Sequence, residues 1–385
     1  MDRYLVVGAG FSGAVLAREL AEKLPCTVDV IDERSHIGGN CHTFRDGHSG
    51  VMIHAYGPHI FNTNDERVWD YVCRHGSFRS FVNRVKAIIE RGVFSMPINL
   101  HTINQFFGLK MNPKQAAAYL AALGDASIME PANFEEQALK LMGRELYEAF
   151  FKGYTTKQWG CDPRELSPSI LKRLPIRFSY EDNYYEKKFC GIPEEGYGDV
   201  IGSILRHPAV HVRLGERIHP GTIPHDYRHV FWTGPIDAYF DYSEGRLGYR
   251  TMTFERIDAT GDFQGNPVIN YPGIETPFTR IHEHKHFAPW EQHERTVAFR
   301  EYSKETAGND IPYYPKRFSS DLKILGRYRE RAESLKGVSF LGRLGTYRYM
   351  DMEAVIRDAL NHASESIVLL LNGERPPHFP KVAAD

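Results

Sequence analysis

Arg3-Tyr-Leu-Val-Val-Gly8-Ala-Gly10-Phe11-Ser12-Gly13-Ala-Val-Leu-Ala17 is the stretch that decides the fold. Its opening is β-rich and apolar, its glycines are spaced Gly-x-Gly-x-x-Gly, and the apolar positions that follow to about Leu24 recur at helical spacing. Strand, glycine turn and helix open a βαβ unit, which a second β-rich run at residues 27–31 completes before Asp32-Glu33-Arg34. Without side chains at Gly8, Gly10 and Gly13, a pyrophosphate can reach the N–H groups at the positive end of the helix, with Phe11 and Ser12 beside it. An acid closing the second strand stands where a ribose hydroxyl needs an acceptor, so Asp32 is the first candidate and Glu33 the reserve.

Outward from that unit, the composition is that of a globular α/β protein. The chain has 385 residues, 42% hydrophobic and 25% charged, which is enough for a core divided over two or three domains. With 47 Lys+Arg against 49 Asp+Glu the net charge is −2, so no global field favours nucleic acid or an anionic membrane. Five cysteines, odd in number and without a Cys-x-x-Cys pair, read as reduced thiols and favour the cytoplasm. The uncharged run at residues 4–17 carries too many glycines for a signal peptide, and no apolar run of bilayer-spanning length occurs.

The expected fold is a Rossmann-like cofactor domain with an inserted helical domain and an antiparallel β-sheet domain. Residues 1–78, 190–244 and 318–385 are assigned to the first, where residues 338–342 form a returning strand and a helix runs from about Asp351 to Leu370. Residues 100–175 turn to Ala, Leu, Gln and Glu and form the helical domain, with a mobile loop. Residues 79–99, 176–189 and 245–317 form the sheet domain, aromatic and β-branched with Gly and Pro breaks. The Pro-rich tail after Glu374 reads as loose.

Beyond the acid, Arg34-Ser-His-Ile-Gly38-Gly39-Asn40 resembles the FAD signature of the amine-oxidase and glutathione-reductase-like flavoproteins. The resemblance implies FAD, with Gly39 and Asn40 beside it. A helix N-terminus near Asp351 would favour the negative charge of reduced flavin by roughly 0.3–1 kcal/mol. No convincing second dinucleotide fingerprint follows; Gly196-Tyr-Gly198 reads as a turn into a helix.

Further along, Phe150-Phe151-Lys-Gly-Tyr154-Thr155-Thr-Lys157-Gln158-Trp159, Lys172-Arg173, and Asp182-Asn-Tyr184-Tyr185 alternate aromatic rings with polar donors. That combination suits a nucleoside diphosphate: rings stack on a base, and Arg and Tyr donate to phosphate. Core packing is the competing reading for Phe150 and Phe151. Together with Gly57-Pro58-His59-Ile60, Asn83-Arg84, Phe278-Thr279-Arg280, Pro312-Tyr313-Tyr314 and Gly342-Arg343-Leu-Gly-Thr-Tyr-Arg-Tyr349-Met350-Asp351, these segments closely resemble bacterial UDP-galactopyranose mutases over most of the chain.

That resemblance implies an isomerase interconverting UDP-galactopyranose and UDP-galactofuranose, with N5 of reduced FAD as covalent nucleophile at the anomeric carbon and galactofuranose destined for surface polysaccharide. It implies that Arg173, from a closing loop, and Arg280 bind the diphosphate, with Tyr184, Tyr314 and Tyr349 donating. Asn83, Phe150, Phe151, Tyr154, Thr155 and Trp159 line the uridine and sugar region, with Arg250 and Asn270 near the sugar. His59 and Ile60 lie beside the flavin, His59 as a candidate proton shuttle, and Arg343, Tyr349, Met350, Asp351 and Met352 are next to the cofactor. A homodimer and a reductant such as NAD(P)H or a cellular reductase complete the expectation. The alternatives are a flavin amine oxidase-like oxidoreductase and a nucleotide-sugar binding protein with structural FAD. His282, His284 and His286 alternate along an expected strand, but ligand spacing is absent and no metal is expected.

Overall fold

The structure, a computed structural model, describes residues 1–173 and 176–381, except for the side chains of Lys172 and Arg173. Five parallel strands form the first sheet, in the order Val210–Leu214, Cys26–Asp32, Asp2–Val7, His229–Trp232, Val338–Phe340. Side chains alternate across it. Tyr4 and Val6 pack with the helices Phe11–Lys23, Gly196–Leu205 and Met352–Leu371 on one face. Leu5 joins Trp232, Phe340, Leu325 and Tyr328 on the other, under the helix Ser319–Glu333. A parallel sheet covered on both faces explains why the opening strand is apolar from Tyr4 to Val7.

The second sheet has seven strands, in the order Tyr314–Pro315, Tyr249–Thr260, Arg295–Glu305, Arg280–Glu283, Val268–Asn270, Val85–Ile89, Gly92–Met96. It is antiparallel except where Val268–Asn270 runs parallel to Val85–Ile89. The helices Leu100–Phe107, Pro113–Leu123, Phe134–Leu146 and Gly153–Trp159 gather between residues 100 and 160, and their buried Ile103, Leu120, Phe134 and Met142 share one core with Val85, Phe94 and Val268 of the second sheet. Among the described residues no helix is long and apolar enough to cross a membrane.

Two expectations are corrected here. The strand Arg280–Glu283 ends before the second histidine, and the chain turns into the short helical turn His284–Phe287, so the three imidazoles do not share a strand face. Asp262, Glu283 and His286 do come together. Glu283, however, already accepts from the N–H groups of Phe263, Gln264 and Gly265 and the hydroxyl of Thr296, and Asp262 pairs with Lys285. The tail is docked rather than loose. Phe340 N–H donates to His378 O at 2.7 Å, Ser339 Oγ donates to Pro377 O at 2.6 Å, and Phe379 stacks on Phe340 at 5.6 Å.

Buried histidines fix the acid limit of this fold. Burial lowers the pKa of His54 and His229 to about 3 and that of His362 to about 4, so all are neutral when folded at pH 7. The unfolded chain takes up protons below about pH 6.5 that the folded chain refuses, so stability falls as pH falls. The unfolding midpoint is expected to be flat near pH 7–8 and to drop between about pH 6.5 and 4. Each such histidine removes about 1.4 kcal/mol per pH unit in that window, as a pH series of denaturant titrations would show.

Candidate functional site

The glycine turn is built by close approach. Gly8 has φ +110°, and a Cβ on Gly13 would lie 1.9 Å from Gly8 O, so helix and strand touch backbone to backbone. Gly10 is different. A Cβ there would meet nothing nearer than Gly39 Cα at 3.9 Å, which leaves an open cradle between the two glycine pairs. The helix Phe11–Lys23 begins at that cradle with no side-chain cap on Gly10, an arrangement in which the first N–H groups suit an anion. Gly342 closes the cradle from the far end of the chain: a Cβ there would lie 2.6 Å from Ser12 Oγ. These observations fit a dinucleotide pyrophosphate.

Asp32 ties the turn together. Its oxygens accept from Ala9 N–H at 2.8 Å and Arg34 N–H at 2.9 Å, while Glu33 is exposed and faces Arg217. Asn40 accepts from Arg34, and Phe11 is buried against Tyr197. Ile60 is buried, and Met350 is buried with its carbonyl taken by Arg343. Asp351 caps the helix that begins at Met352, its Oδ1 accepting from Ala354 N–H at 2.9 Å.

A second cluster lies against this one. Tyr314 and Tyr349 stack at 5.5 Å, Trp159 meets Tyr349 at 6.4 Å, and the Arg343 guanidinium lies over both tyrosines at 5.3 and 5.7 Å. Arg280 donates to Glu301 through Nε at 2.8 Å and Nη2 at 2.9 Å. Burial raises the tyrosine pKa values, to about 12 for Tyr314, and the charge of Arg280 acts against it on Tyr154, Tyr184 and Tyr314 alike. Those three hydroxyls make no hydrogen bond among the described residues. Buried Asn83 holds the Tyr184 N–H through its carbonyl, and its own Oδ1 has no partner among the described residues. Asn270 stands opposite Arg280 in register. The side chain of Arg173 lies outside the described residues, so its expected role beside Arg280 rests on the sequence.

His59 sits between the two clusters. Its Nδ1 lies 2.8 Å from Gly57 O, a bond in which the ring must donate, so Nε2 is left as the acceptor. Burial, with Arg343 and Arg280 adding to it, lowers its pKa to about 4.

The helix Gly153–Trp159 presents Tyr154 and Trp159, with Thr155 buried. It follows a π-helical turn, Tyr147–Lys152, where Phe150 packs on Phe94 and Phe106, and Phe151 is buried in the same core. Both phenylalanines are therefore placed as packing residues. Arg250 is buried beneath the helix with its guanidinium spent on Lys157 O, Gln158 O, Ser303 and Glu305. A cation there meets the unpaired carbonyls and negative dipole end of the helix.

Sequence reasoning gave Lys157 no role of its own. Its Nζ lies 2.6–2.9 Å from the carbonyls of Tyr271, Gly273, Thr276 and Phe278, pinning the helix to the loop between Asn270 and Arg280. Lys157→Met is expected to cost about 3 kcal/mol of stability, the scale of hydrogen bonds to a charged group, and to raise KM as Tyr154 and Arg280 lose register. Denaturant titration and steady-state kinetics on one preparation check both.

The comparisons agree with this architecture. The sequence model of the UDP-galactopyranose mutase family matches residues 149–349, and an NAD(P)-binding Rossmann-like domain model matches residues 6–74. A probable UDP-galactopyranose mutase of Klebsiella pneumoniae is 52% identical over 375 residues, covering 97% of each chain. A dTDP-fucopyranose mutase of Escherichia coli is 44% identical over 369 residues, covering 94% of this chain and 98% of the other. In fold, the chain resembles a crystal structure of reduced UDP-galactopyranose mutase with a TM-score of 0.75 at 14% identity, covering 97% of this chain and 96% of that one.

Proposed function

Since the chain belongs to the UDP-galactopyranose mutase family, an isomerase family, we propose that it interconverts UDP-galactopyranose and UDP-galactofuranose with reduced FAD. The carrying observation is the Arg280 fork near the hydroxyls of Tyr154, Tyr184 and Tyr314, which make no hydrogen bond among the described residues, adjoining the open glycine cradle through Arg343. Gly10, Gly39, Ser12 and the helix N-terminus would hold the FAD pyrophosphate, with Asp32 toward the ribose. When bound and reduced, FAD would supply an electron-rich N5 as the covalent nucleophile for the anomeric carbon.

The chain's own part is to hold the leaving group and exclude water. Arg280 donates charge-assisted bonds to the diphosphate, with Arg173 as its expected partner, and Tyr184, Tyr314 and Tyr349 add neutral donors. Tyr154 and Trp159 offer ring faces to the base, and the unpartnered Oδ1 of Asn83 accepts from a uridine or sugar donor. Neutral His59 offers Nε2 as an acceptor to a sugar hydroxyl. No carboxylate pair of glycosidase type is needed, because net hydrolysis does not occur. Five cysteines without a disulfide among them suit the reducing cytoplasm, where a homodimer supplied by NAD(P)H or a reductase would make galactofuranose for surface polysaccharide.

The test is product chromatography of UDP-galactopyranose incubated with the FAD-loaded chain, with and without dithionite. Furanose formed only after reduction is the expected result. Oxygen consumption without furanose would favour an oxidase, and UDP binding without furanose in either state a binding protein. dTDP-fucopyranose belongs in a parallel arm because of the 44% identical relative.

A further inference from the structure

We infer that Glu301 is a positioning residue that sets which edge of Arg280 faces the diphosphate and keeps the site's hold on that anion below its maximum. The inference rests on the diphosphate role proposed above for Arg280.

Arg280 and Glu301 are directly opposite on adjacent antiparallel strands. Oε1 accepts from Nε at 2.8 Å and Oε2 from Nη2 at 2.9 Å, so the carboxylate fills the side-on edge of the guanidinium. The remaining edge, formed by Nη1 and the second Nη2 hydrogen, makes no bond among the described residues. Arg280 is 25% exposed and Glu301 1%, so the free edge is the one that meets a ligand. The carboxylate itself has little room to move. Thr279 Oγ1 lies 3.4 Å from Oε1, His282 Nε2 lies 3.3 Å from Oε2, and a Cβ on Gly57 would lie 3.5 Å from Oε2. The Gly57 turn is the one that accepts from His59, so one buried carboxylate borders both the anion fork and the histidine loop.

Two consequences follow with opposite signs. Held side-on, Arg280 presents a preset planar fork to two phosphate oxygens. Paired with Glu301, it offers the anion a dipole instead of a full positive charge, which weakens binding. A leaving group that must depart and return is served by a hold that is directional without being tight. Removing the charge of Glu301 should therefore tighten nucleotide binding while turnover falls. A purely structural glutamate would weaken both.

The experiment uses FAD-loaded wild type, Glu301→Gln and Glu301→Asp. UDP affinity is measured calorimetrically, inorganic pyrophosphate serves as competitor, and kcat and KM are taken for UDP-galactopyranose after reduction. Glu301→Gln is expected to bind UDP about threefold tighter or better and to lose about tenfold or more in kcat. Glu301→Asp, which restores the charge with a shorter reach, is expected to bind UDP as wild type does while kcat stays about tenfold down. Unchanged kcat in either variant, or weaker UDP binding in Glu301→Gln, overturns the inference. If Glu301→Gln does not fold, Glu301→Asp decides alone: lost UDP affinity or wild-type kcat overturns it. Wild type that fails to bind UDP would instead overturn the diphosphate role itself.

Discussion

Arg280→Ala is expected to lower turnover of UDP-galactopyranose by about a thousandfold while flavin content stays at the wild-type level. Two charge-assisted bonds to a diphosphate, each worth about 1.5–3 kcal/mol, account for a loss of that order. Stability must fall too, because Glu301 is 1% exposed and is left without its cation. Breaking a buried pair from one side costs about 3–5 kcal/mol. The two effects separate in the double variant Arg280→Ala with Glu301→Gln, where the denaturant midpoint should recover and turnover should not. Arg280→Lys keeps the charge and loses the fork, so wild-type turnover in that variant would mean that net charge alone matters. The pKa values fit this assignment. Burial opposes the Glu301 charge, yet Arg280 and then His282 outweigh it and hold the carboxyl at about 2. The pair is thus fully ionised across the working pH range.

Gly13→Ala should remove both cofactor and fold stability, whereas Gly10→Ala should remove the cofactor alone. At Gly13 the added carbon would sit 1.9 Å from Gly8 O and 2.9 Å from Val6 Cγ1, so the helix Phe11–Lys23 must lift from the strand Asp2–Val7. Overpacking of this kind costs about 1–3 kcal/mol, and here the obstacle is backbone, which cannot rotate away. At Gly10 the same carbon enters the cradle at ordinary contact distance from Gly39, so the protein folds and the pyrophosphate is displaced. Flavin absorbance relative to protein, read beside the unfolding midpoint, distinguishes the two. A Gly10→Ala protein that retains its flavin would place the cofactor elsewhere.

Local chemistry made the parallel sheet legible: strand, glycine turn and helix are contiguous, and close approach at Gly8 and Gly13 permits no side chain. In the second cluster only Tyr154, Trp159 and Tyr184 were legible in their own segments, where rings alternate with polar donors, while Arg280, Tyr314, Tyr349 and Arg343 were reached through the family resemblance. Long-range partners were not legible. Lys157 has no role of its own in the sequence until the fold brings Tyr271 to Phe278 around it, and nothing within its own segment announces four carbonyls. Arg250, expected near the sugar only through the resemblance, donates to the carbonyls at a helix C-terminus, contacts its own segment does not announce. Glu301 belongs to no motif, and only strand register places it on Arg280. The histidine triplet misled because an alternation of two persists through a turn as easily as through a strand. The tail misled because its prolines and charges outnumber its single decisive ring, Phe379.

That docked tail does more than fill space. Val338–Phe340 is the outermost strand of the parallel sheet, and the tail takes up hydrogen-bonding groups along its open side, through Phe340 N–H and the Val338 carbonyl that meets His378. Peeling residues 377–380 away would uncover a pairing template for other molecules. Concentration-dependent self-association, ahead of any loss of folding, is then the first symptom to look for in a clipped preparation.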